Sequence, residues 1–485
     1  MLRPEPPGQE GSAEEPGGGL RRLARAVGRS ASDGDGELPP LGELLAWLDR
    51  HVNLEVAGSA ASRHAPPDLE RMRQLVAAMG DPQLSYPVLH VTGTNGKGST
   101  SRMCSELLLE QGLTVGTYTS PHLEDVNERL AYGLEPIGDE ELAGELEAVR
   151  AVERFVLQRH AAGAAPTWFE ILTAVGLRWF SDVAVEAAVV EVGLGGRLDA
   201  TNVADAAVAV LTNVELDHTD VLGSTRLEIA AEKAGIVKRG AVVCCGEDDP
   251  AILEVVAARS REAQAEALWV RNVDFGCDAN QVAYGGRLVD LRTPGASYGE
   301  IFLPVHGAHQ GENAAIALAA AEAFFGSPID RGVVEAAFSR LSLPGRLEVV
   351  RRRPLVLLDG AHNRAGAEAL GAALEEDFAG VGRLVLVMGC LRGRDPEALL
   401  QAIGTDRVAL VVACAPPSPR ALAAEDVASA ARRLGLPARS VDGVSEALEA
   451  ALAEARPDDL VLVTGSLYVV GSARRAARGL TSAPA

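Results

Sequence analysis

The feature that most constrains the fold is a short apolar segment that leads through a glycine-rich turn into a helix. Residues 88–92 (VLHVT) have the composition of a buried strand, and the run GTNGKGS (93–99) follows at once. A helical pattern then extends from about Ser99 to Gln111 and ends at Gly112. Backbone N–H groups at such a helix start, with a lysine beside them, can cradle phosphate. The spacing differs from GxxxxGK[ST], but strand, loop, lysine and helix in this order predict a nucleotide triphosphate site.

Lysine is scarce, which makes each lysine informative. Of 45 Lys+Arg residues, only Lys97, Lys233 and Lys238 are lysines. Arginine is always charged and forked, whereas lysine is a compact charge that can also lose its proton and act as an amine. A lysine retained in such a chain therefore indicates a position where a guanidinium cannot serve. The surrounding glycines favour this interpretation for Lys97, while retention by chance explains Lys238 equally well.

Composition excludes several classes of partner. The formal net charge of −22 argues against a nucleic-acid-binding or anionic-membrane-binding surface, although backbone amides and one lysine can still hold a small phosphate. The longest apolar runs have the length of strands, and none approaches the roughly 18 residues of a membrane span. The six cysteines show no CxxC pair, which favours buried thiols in a reducing compartment. We therefore expect a cytoplasmic protein that acts on small molecules. We further expect a monomer, although composition itself does not determine the oligomeric state.

The pattern along the chain predicts a disordered tail and two α/β domains. Residues 1–37 are rich in Gly, Pro, Glu and Ser and cannot bury enough apolar surface to offset the entropy of ordering. From Leu41, strand-length apolar runs alternate with helical patterns, which indicates mostly parallel sheets covered on both faces. We expect a P-loop-containing, mostly parallel-sheet ATPase domain over residues 38–343, then a smaller Rossmann-like α/β domain over 344–485. Pro344-Gly345-Arg346 would be the hinge between them.

Carboxylates at predicted strand ends suggest a metal site. Glu191 ends an apolar strand, and Asp217-His218 follows the next one. The carboxyl ends of parallel strands are where ligand sites form in α/β folds. Asp217 alone could be a turn residue, and His218 alone a loop histidine. Their position beside the predicted phosphate loop favours Mg²⁺, although a histidine is an unusual ligand for that ion.

Several motifs together resemble the Mur ligase superfamily, and specifically its folylpolyglutamate synthase/dihydrofolate synthase family. The motif GTNGKGS alone indicates only the superfamily, whereas EVGLGGRLDATN and SPHL are far more specific. The matches follow the family's order over about residues 41–480. They are GTNGKGS (93–99), TSPHL (119–123), TWFE (167–170), EVGLGGRLDATN (191–202), LDH (216–218), EKAGIVK (232–238), GAHQGEN (307–313), PGRLE (344–348) and DGAHN (359–363).

The resemblance implies a role for each matching position. The ATP site would comprise Thr94, Asn95, Gly96, Lys97, Gly98 and Ser99 at the phosphates, Asn313 at the adenine end, and Arg346 and Asp359 from the hinge and second domain. Two Mg²⁺ ions would be held by Ser120, Glu191, His218 and a Lys233 carbamylated by CO₂. Lys97, Lys233, His218 and His362 would be the catalytic groups, with Asn363 beside His362. The acceptor and glutamate would contact Thr167, Trp168, Phe169, Glu170, Leu198, Asp199, Ala200 and Arg420.

The implied reaction is an ATP-dependent amide ligation. The γ-phosphoryl group of ATP would pass to a substrate carboxylate, and the amino group of L-glutamate would attack the resulting acyl phosphate. The acceptor would be dihydropteroate, a folyl-polyglutamate, or both. A peptidoglycan-type Mur ligase is the alternative within this class. A P-loop NTPase switch and a non-catalytic pterin or nucleotide binder are the alternatives outside it.

Two positions depart from the family pattern. Trp168 stands where a tyrosine is commoner, which would change the shape of the pterin pocket. The run RGRD (392–395) replaces a more usual DKD-like stretch, so the resemblance implies no role for it.

Overall fold

The structure of the protein is a computed structural model that describes residues 38–57, 68–159 and 165–481. The tail predicted over residues 1–37 lies outside the described residues. Within the described part, the strands form a large mixed sheet, a small antiparallel sheet and a second mostly parallel sheet. The strands are β1 Val88–Thr92, β2 Val115–Tyr118, β3 Leu130–Tyr132, β4 Glu135–Pro136, β5 Ala187–Glu191, β6 Ala206–Leu211, β7 Val242–Cys245, β8 Ala267–Val270, β9 Gly276–Ala283, β10 Gly286–Arg292, β11 Ser297–Leu303, β12 Glu348–Arg352, β13 Leu355–Leu358, β14 Leu384–Met388, β15 Val408–Ala413, β16 Ala438–Ser440 and β17 Leu460–Thr464.

Helices connect most of these strands, as the sequence pattern predicts. They are α1 Leu41–Leu48, α2 Leu54–Ala57, α3 Leu69–Ala78, α4 Lys97–Glu110, α5 Asp139–Arg159, α6 Trp168–Asp182, α7 Thr219–Leu222, α8 Arg226–Ala234, α9 Pro250–Ala263, α10 His309–Phe325, α11 Arg331–Ser339, α12 Arg364–Glu376, α13 Pro396–Ile403, α14 Ala424–Arg433, α15 Val444–Glu454 and α16 Leu467–Thr481. Short 3₁₀ turns lie at Pro82–Leu84, Val126–Arg129 and Ala200–Val203.

The large sheet places β1 between β5 and β6. Its strand order is β4-β3-β2-β5-β1-β6-β7-β8, and every pairing from β2 to β8 is parallel. Val91 of β1 pairs with Glu191 of β5, and Thr92 pairs with Leu211 of β6. Because these strands are parallel, the loops that follow β1, β5 and β6 emerge side by side. The fold therefore gathers the predicted phosphate loop, Glu191 and the segment leading to Asp217 at one sheet edge.

Both faces of the large sheet are covered. On one face, α4 and α10 cover the sheet, and α10 also packs against β9 and β10 of the small antiparallel sheet, within one continuous apolar core. On the other face, helices α1, α3, α5 and α6 form a second core. The small side chains of the alanine-rich α10, buried over most of its length, let it lie close to α4. The small sheet was not among the sequence-based expectations, because its strands are half-exposed and mix polar with apolar residues.

The second mostly parallel sheet comes entirely from residues after Leu347. Its order is β12-β13-β17-β14-β15-β16, with only the β12–β13 pairing antiparallel. Apolar cores cover its two faces. This doubly covered sheet confirms the predicted α/β fold class. The boundary between 343 and 344 stays our proposal for the division of the chain. No helix within the described ranges is long and apolar enough to cross a membrane.

Candidate active site

The loop between β1 and α4 has the shape of a phosphate cradle. Gly96 precedes α4 with φ of 81°, and a Cβ there would lie 2.5 Å from Oδ1 of Asn313. Glycine avoids both the strain and the collision. The first N–H groups of α4 have no partner within the helix, as at every helix start. Lys97 Nζ lies over the loop and donates to the carbonyls of Gly93, at 3.2 Å, and Thr94, at 3.3 Å. Asn313, expected at the adenine end, thus lies directly against the loop.

The end of β6 fixes the conformation of this loop. Thr212 Oγ1 donates to the Asn95 carbonyl at 2.6 Å, and Asn213 Oδ1 accepts from the Asn95 amide at 2.9 Å. A Cβ on Gly93 would collide with the Thr212 hydroxyl. Sequence reasoning missed Thr212 and Asn213, although their place directly after β6, beside the loop after β1, was the available signal.

Glu191 and Ser120 meet beside the phosphate loop. The Glu191 carboxylate is 3% exposed, and its Oε2 accepts from the Ser120 amide at 3.1 Å. Burial raises the pKa of the Glu191 carboxyl, and the nearby Lys97 ammonium opposes this shift. Gly98 lies in contact with the same carboxylate, because a Cβ there would be 3.6 Å from Oε2.

Lys233 points into the same region from α8. Its side chain is 3% exposed, and Nζ donates to the Gly93 carbonyl at 2.7 Å. Burial holds the pKa of Lys233 well below its usual range, and the neighbouring Lys97 charge lowers it further. A buried lysine with a depressed pKa is available as a neutral amine.

The second sheet contributes a histidine, an asparagine and an arginine to the Asp217 carboxylate. Asn363 Nδ2 donates to Asp217 Oδ2 at 3.1 Å and to Asn95 Oδ1 at 3.0 Å. Arg394 Nη1 donates to Asp217 Oδ1 at 2.6 Å, and His362 Nε2 lies 3.8 Å from Oδ2. Burial alone would raise the pKa of Asp217, but the charges of His218, Arg394 and His362 and the Arg394 hydrogen bond lower it below the usual range. Sequence reasoning gave Arg394 no role.

Two histidines face this carboxylate and are neutral near pH 7. His362 Nδ1 donates to the Gly360 carbonyl at 2.8 Å, which leaves Nε2 as the unprotonated nitrogen. Burial, reinforced by Arg394, lowers the pKa of His362 to about 4. His218 adopts a left-handed conformation with φ of 50° at the start of α7, and burial lowers its pKa as well.

Arg346 and Asp359 lie together at the predicted hinge. Asp359 is buried and accepts hydrogen bonds from the Leu347 amide at 3.0 Å and the Ala361 amide at 2.8 Å. Burial raises the pKa of Asp359, and Arg346 opposes the shift. The Arg346 guanidinium lies against Gly360, where a Cβ would collide with it. The hinge and the start of the second sheet thus form one charged cluster.

The predicted acceptor segment 167–170 opens helix α6. Thr167 and Glu170 form a reciprocal cap, in which the Glu170 amide donates to Thr167 Oγ1 and the Thr167 amide donates to Glu170 Oε2. Glu170 also pairs with Arg71 at 2.8 Å. The Trp168 ring lies under the Arg129 guanidinium, 4.8 Å from its centre, and Trp168 Nε1 donates to Asp49. These contacts give the segment a structural role, whatever else it binds.

Phe169 and the turn 198–200 both contact the glycine-rich segment at residues 193–194. Phe169 packs against Gly193, where a Cβ would be 2.4 Å from the ring, and Tyr118 lies edge-on to it. The Asp199 carboxylate is buried and accepts from the Thr201 hydroxyl and amide and from the Leu194 amide. Leu198 is 37% exposed, whereas Ala200 is buried.

Arg129 and Arg420 converge on Glu55 of α2. The Arg129 guanidinium is 1% exposed and makes a two-pronged contact with the Glu55 carboxylate at 2.9 and 2.6 Å. Its Nε donates to His122 Nδ1 at 2.9 Å. Arg420, from the second sheet's side, donates to the Glu55 carbonyl at 3.2 Å. Sequence reasoning missed Arg129, although it lies only nine residues after Ser120, the first residue of the SPHL motif.

The donor atoms around Glu191 suit magnesium. Among the described residues no hydrogen bond reaches its Oε1, so one oxygen of a side chain that is 3% exposed is open to a ligand. Within the same residues, no three His, Cys, Asp or Glu side chains gather in a way that could hold a metal ion. An ion here would complete its shell with water and phosphate, as Mg²⁺ commonly does.

Comparison with known proteins identifies the family. Two family profiles match, the Mur ligase middle domain over residues 170–321 and the Mur ligase glutamate ligase domain over residues 345–467. The dihydrofolate synthase/folylpolyglutamate synthase of Mycobacterium tuberculosis is 37% identical over 438 residues, which covers 84% of this chain and 89% of that protein.

Solved structures give the same result. The M. tuberculosis folylpolyglutamate synthase complexed with ADP and AMPPCP superimposes with a TM-score of 0.83 at 36% identity, covering 93% of this chain and all of that one. Escherichia coli FolC in complex with DHPP and ADP gives a TM-score of 0.78 at 30% identity, covering 91% and 99% of the two chains. The chain therefore belongs to the dihydrofolate synthase/folylpolyglutamate synthase family of Mur ligases.

Proposed function

We propose that the protein is an ATP-dependent ligase that joins L-glutamate to dihydropteroate, to a folyl-polyglutamate, or to both, through an acyl phosphate. The observation that carries this proposal is the meeting of the phosphate loop with the DGAHN segment, where Asn363 of the second sheet donates to Asn95 at 3.0 Å. A ligase needs its phosphoryl donor and its amine substrate at one point, and this contact joins the two sheets there. The ADP, AMPPCP and DHPP complexes of its relatives support the same substrates.

The phosphate loop would hold and polarise ATP. The N–H groups at the start of α4 and the Lys97 ammonium would bind the β- and γ-phosphates, replacing the carbonyls that Lys97 now contacts. Glu191, Ser120 and His218 would hold Mg²⁺, which would supply positive charge to offset the negative charge of the phosphoryl group during its transfer. Positioning and charge stabilisation of this kind account for most of the catalysis in phosphoryl transfer.

Lys233 is proposed to act as a carbamate. Its neutral, buried amine would attack CO₂ and release a proton, which gives an N-carboxylate with two oxygens for a second Mg²⁺. Arginine cannot undergo this reaction, so the scarcity of lysine in the chain supports the proposal. The hydrogen bond from Nζ to Gly93 would keep the modified side chain beside the phosphate loop.

His362 would serve the glutamate step. Its Nδ1–H bond to the Gly360 carbonyl fixes the ring, and the unprotonated Nε2 faces the region of Asp217 and the phosphate loop. A neutral imidazole there can accept a hydrogen bond from the incoming amino group. Arg420 is the candidate for the glutamate carboxylate, with its guanidinium held by the Glu55 carbonyl. Arg346 and Asp359 would close the nucleotide site at the hinge.

The acceptor would bind between the start of α6 and the turn 198–200. The partly exposed Phe169 and Leu198 offer apolar surface for a pterin ring beside the buried Trp168, and Asp199 offers a buried carboxylate. Because Asp199 is present, we expect dihydropteroate to be used as well as a reduced folate. Within this proposal the enzyme is a cytoplasmic monomer, and all six cysteines, which lie within the described ranges, are free thiols as a reducing compartment requires.

One assay tests the function. Purified protein with ATP and Mg²⁺ should release ADP and phosphate only when L-glutamate and a folate-like acceptor are both present. Turnover with a UDP-linked muramyl acceptor alone would support the peptidoglycan-type Mur ligase instead. Equal ATP hydrolysis without any acceptor would support the NTPase switch and contradict the ligase.

A further inference from the structure

The Asp217 carboxylate joins the two sheets at the mouth of the phosphate loop. Asp217 lies in the loop between β6 and α7, and its side chain is 7% exposed. Its Oδ1 accepts from Arg394 and its Oδ2 accepts from Asn363, both of which follow strands of the second sheet. One carboxylate of the first sheet is therefore held by two side chains of the second.

Arg394 is the charged member of this bridge. It lies in the loop between β14 and α13, and its side chain is 20% exposed. Only Nη1 has a protein partner among the described residues, so the Asp217 carboxylate accounts for all of the guanidinium's hydrogen bonding to protein there. An ion pair that is partly removed from water is screened less by salt than one on the open surface. Separation of the two sheets would break it.

Closure matters because an acyl phosphate has two possible fates. Attack by the glutamate amino group forms the amide bond and expels phosphate. Attack by water restores the acceptor carboxylate and also expels phosphate, so the sum is ATP and water converted to ADP and phosphate without product. Keeping the site closed excludes water from this second path.

We propose that Arg394 is a positioning residue whose ion pair with Asp217 holds the second domain closed over the phosphate loop until glutamate has attacked. This role rests on the proposed ligase function. Asn363 is a poorer probe of the bridge, because its Oδ1 also caps helix α12 by accepting from the Gly366 amide. Among the described residues, the Arg394 side chain makes no hydrogen bond within its own domain.

The test compares Arg394→Met with a matched arginine substitution. Arg433→Met removes an exposed arginine whose partner, Glu397, belongs to the second domain as well, so the pair does not cross between the domains. ADP released per amide formed should be about one in the wild type and in Arg433→Met. In Arg394→Met the ratio should rise severalfold, and amide turnover should fall about tenfold, which corresponds to roughly 1.4 kcal/mol. Arg394→Lys, which keeps the charge but not the fork, should fall between them.

A second measurement does not depend on ligase activity. Small-angle X-ray scattering with AMPPCP bound should give a larger radius of gyration for Arg394→Met than for the wild type and Arg433→Met. The proposal is overturned if Arg394→Met is as compact as the wild type, or if its ratio of ADP to amide stays at one. Should the wild type form no amide at all, the proposed function fails, and scattering alone decides whether the pair holds the domains closed.

Discussion

All three lysines have specific backbone partners, which explains at the level of single residues why they were retained. Lys97 and Lys233 both donate to the Gly93 carbonyl, and Lys238 Nζ donates to the Asn202 carbonyl at 2.8 Å. The last contact ties the LDATN turn to the segment after α8. The single compact nitrogen of lysine, charged or neutral, fits such carbonyl sites better than a planar fork. For Lys238 this favours a structural reason over retention by chance.

Lys233 provides the sharpest test of a single residue. Lys233→Arg should lose nearly all turnover although the charge is kept, because arginine cannot form a carbamate. Lys233→Ala should recover part of its ADP release when small carboxylic acids such as acetate supply the missing oxygens. Lys238→Arg is the comparison variant: it disturbs only the structural contact with the Asn202 carbonyl and should keep far more turnover than Lys233→Arg. Wild-type rates in Lys233→Arg would contradict the carbamate.

His90 should make stability depend on pH. It is fully buried, its Nε2 lies 2.8 Å from Thr201 Oγ1, and burial, with Lys238, lowers its pKa to about 3. In the unfolded chain the pKa returns to about 6.5, so below that pH the unfolded state binds one more proton at this position. Stability from neutral His90 is therefore present above pH 6.5 and is lost as pH falls toward 3.

The measurement is the difference in unfolding free energy between the wild type and His90→Gln. Between pH 7.5 and pH 5.0, the wild type should lose about 2 kcal/mol relative to the variant, since all other groups titrate alike in both proteins. If this difference stays constant over the range, His90 takes up protons alike in the folded and unfolded states, and its pKa is not lowered by burial.

At the level of helices and strands, the sequence predicted most of the order of these elements along the chain but few of the contacts that their residues make. The β1–loop–α4 unit and the central strands of both mostly parallel sheets follow from strand-length apolar runs, because local pattern determines them. The edge strands β3, β4, β8, β12 and β16 were not predicted. The segment 167–170 was predicted only as substrate pocket, yet Thr167 and Glu170 cap α6. A capping box and a binding segment can use the same residue types, and only the fold shows which contacts are made.

Helix α16 contains Gly471, whose presence is explained by a close contact with another segment and not by helix propensity. A Cβ on Gly471 would collide with the backbone carbonyl oxygen of Leu123, the last residue of the SPHL motif. In an exposed helix, Gly→Ala is favourable by about 1 kcal/mol. Here Gly471→Ala should destabilise the protein by about 1–3 kcal/mol, because a backbone atom must move to make room. Chemical denaturation measures the change.

Gly479 is the matched control, since it lies in the same helix and a Cβ there would meet open space. Gly479→Ala should leave stability unchanged or raise it slightly. If Gly471→Ala is as harmless as Gly479→Ala, then α16 does not pack on the SPHL loop as closely as the structure indicates.

At the scale of the whole molecule, ion pairs among the described residues connect the two domains in three clusters. Arg394 pairs with Asp217 near the phosphate loop, Arg287 pairs with Asp377, and Arg474 pairs with Glu124 beside the hinge. The partners are 177, 90 and 350 residues apart in sequence. No local pattern links positions so distant, which is why these contacts could not be predicted from one sequence even where the residues themselves were noticed.

The Glu124 contact predicts how the two domains unfold. Its carboxylate is 3% exposed and accepts from Arg474 Nη1 at 2.5 Å and from Arg478 Nη2 at 2.9 Å, both in α16. Removing one partner of a fully buried ion pair costs roughly 3–5 kcal/mol. Because Arg474 is partly exposed and keeps its contact with Glu348, we expect about 2 kcal/mol for Glu124→Ala.

This loss of stability should weaken the coupling between the two domains rather than the core of either domain. Differential scanning calorimetry should therefore show the main transition of Glu124→Ala broadened or split into two, whereas Glu397→Ala, which breaks a more exposed pair inside the second domain, should shift it little. A single sharp transition, displaced no further than that of Glu397→Ala, would mean that Glu124 does not couple the domains. In that case the closed arrangement would depend on the contacts around Asp217 and Asp377.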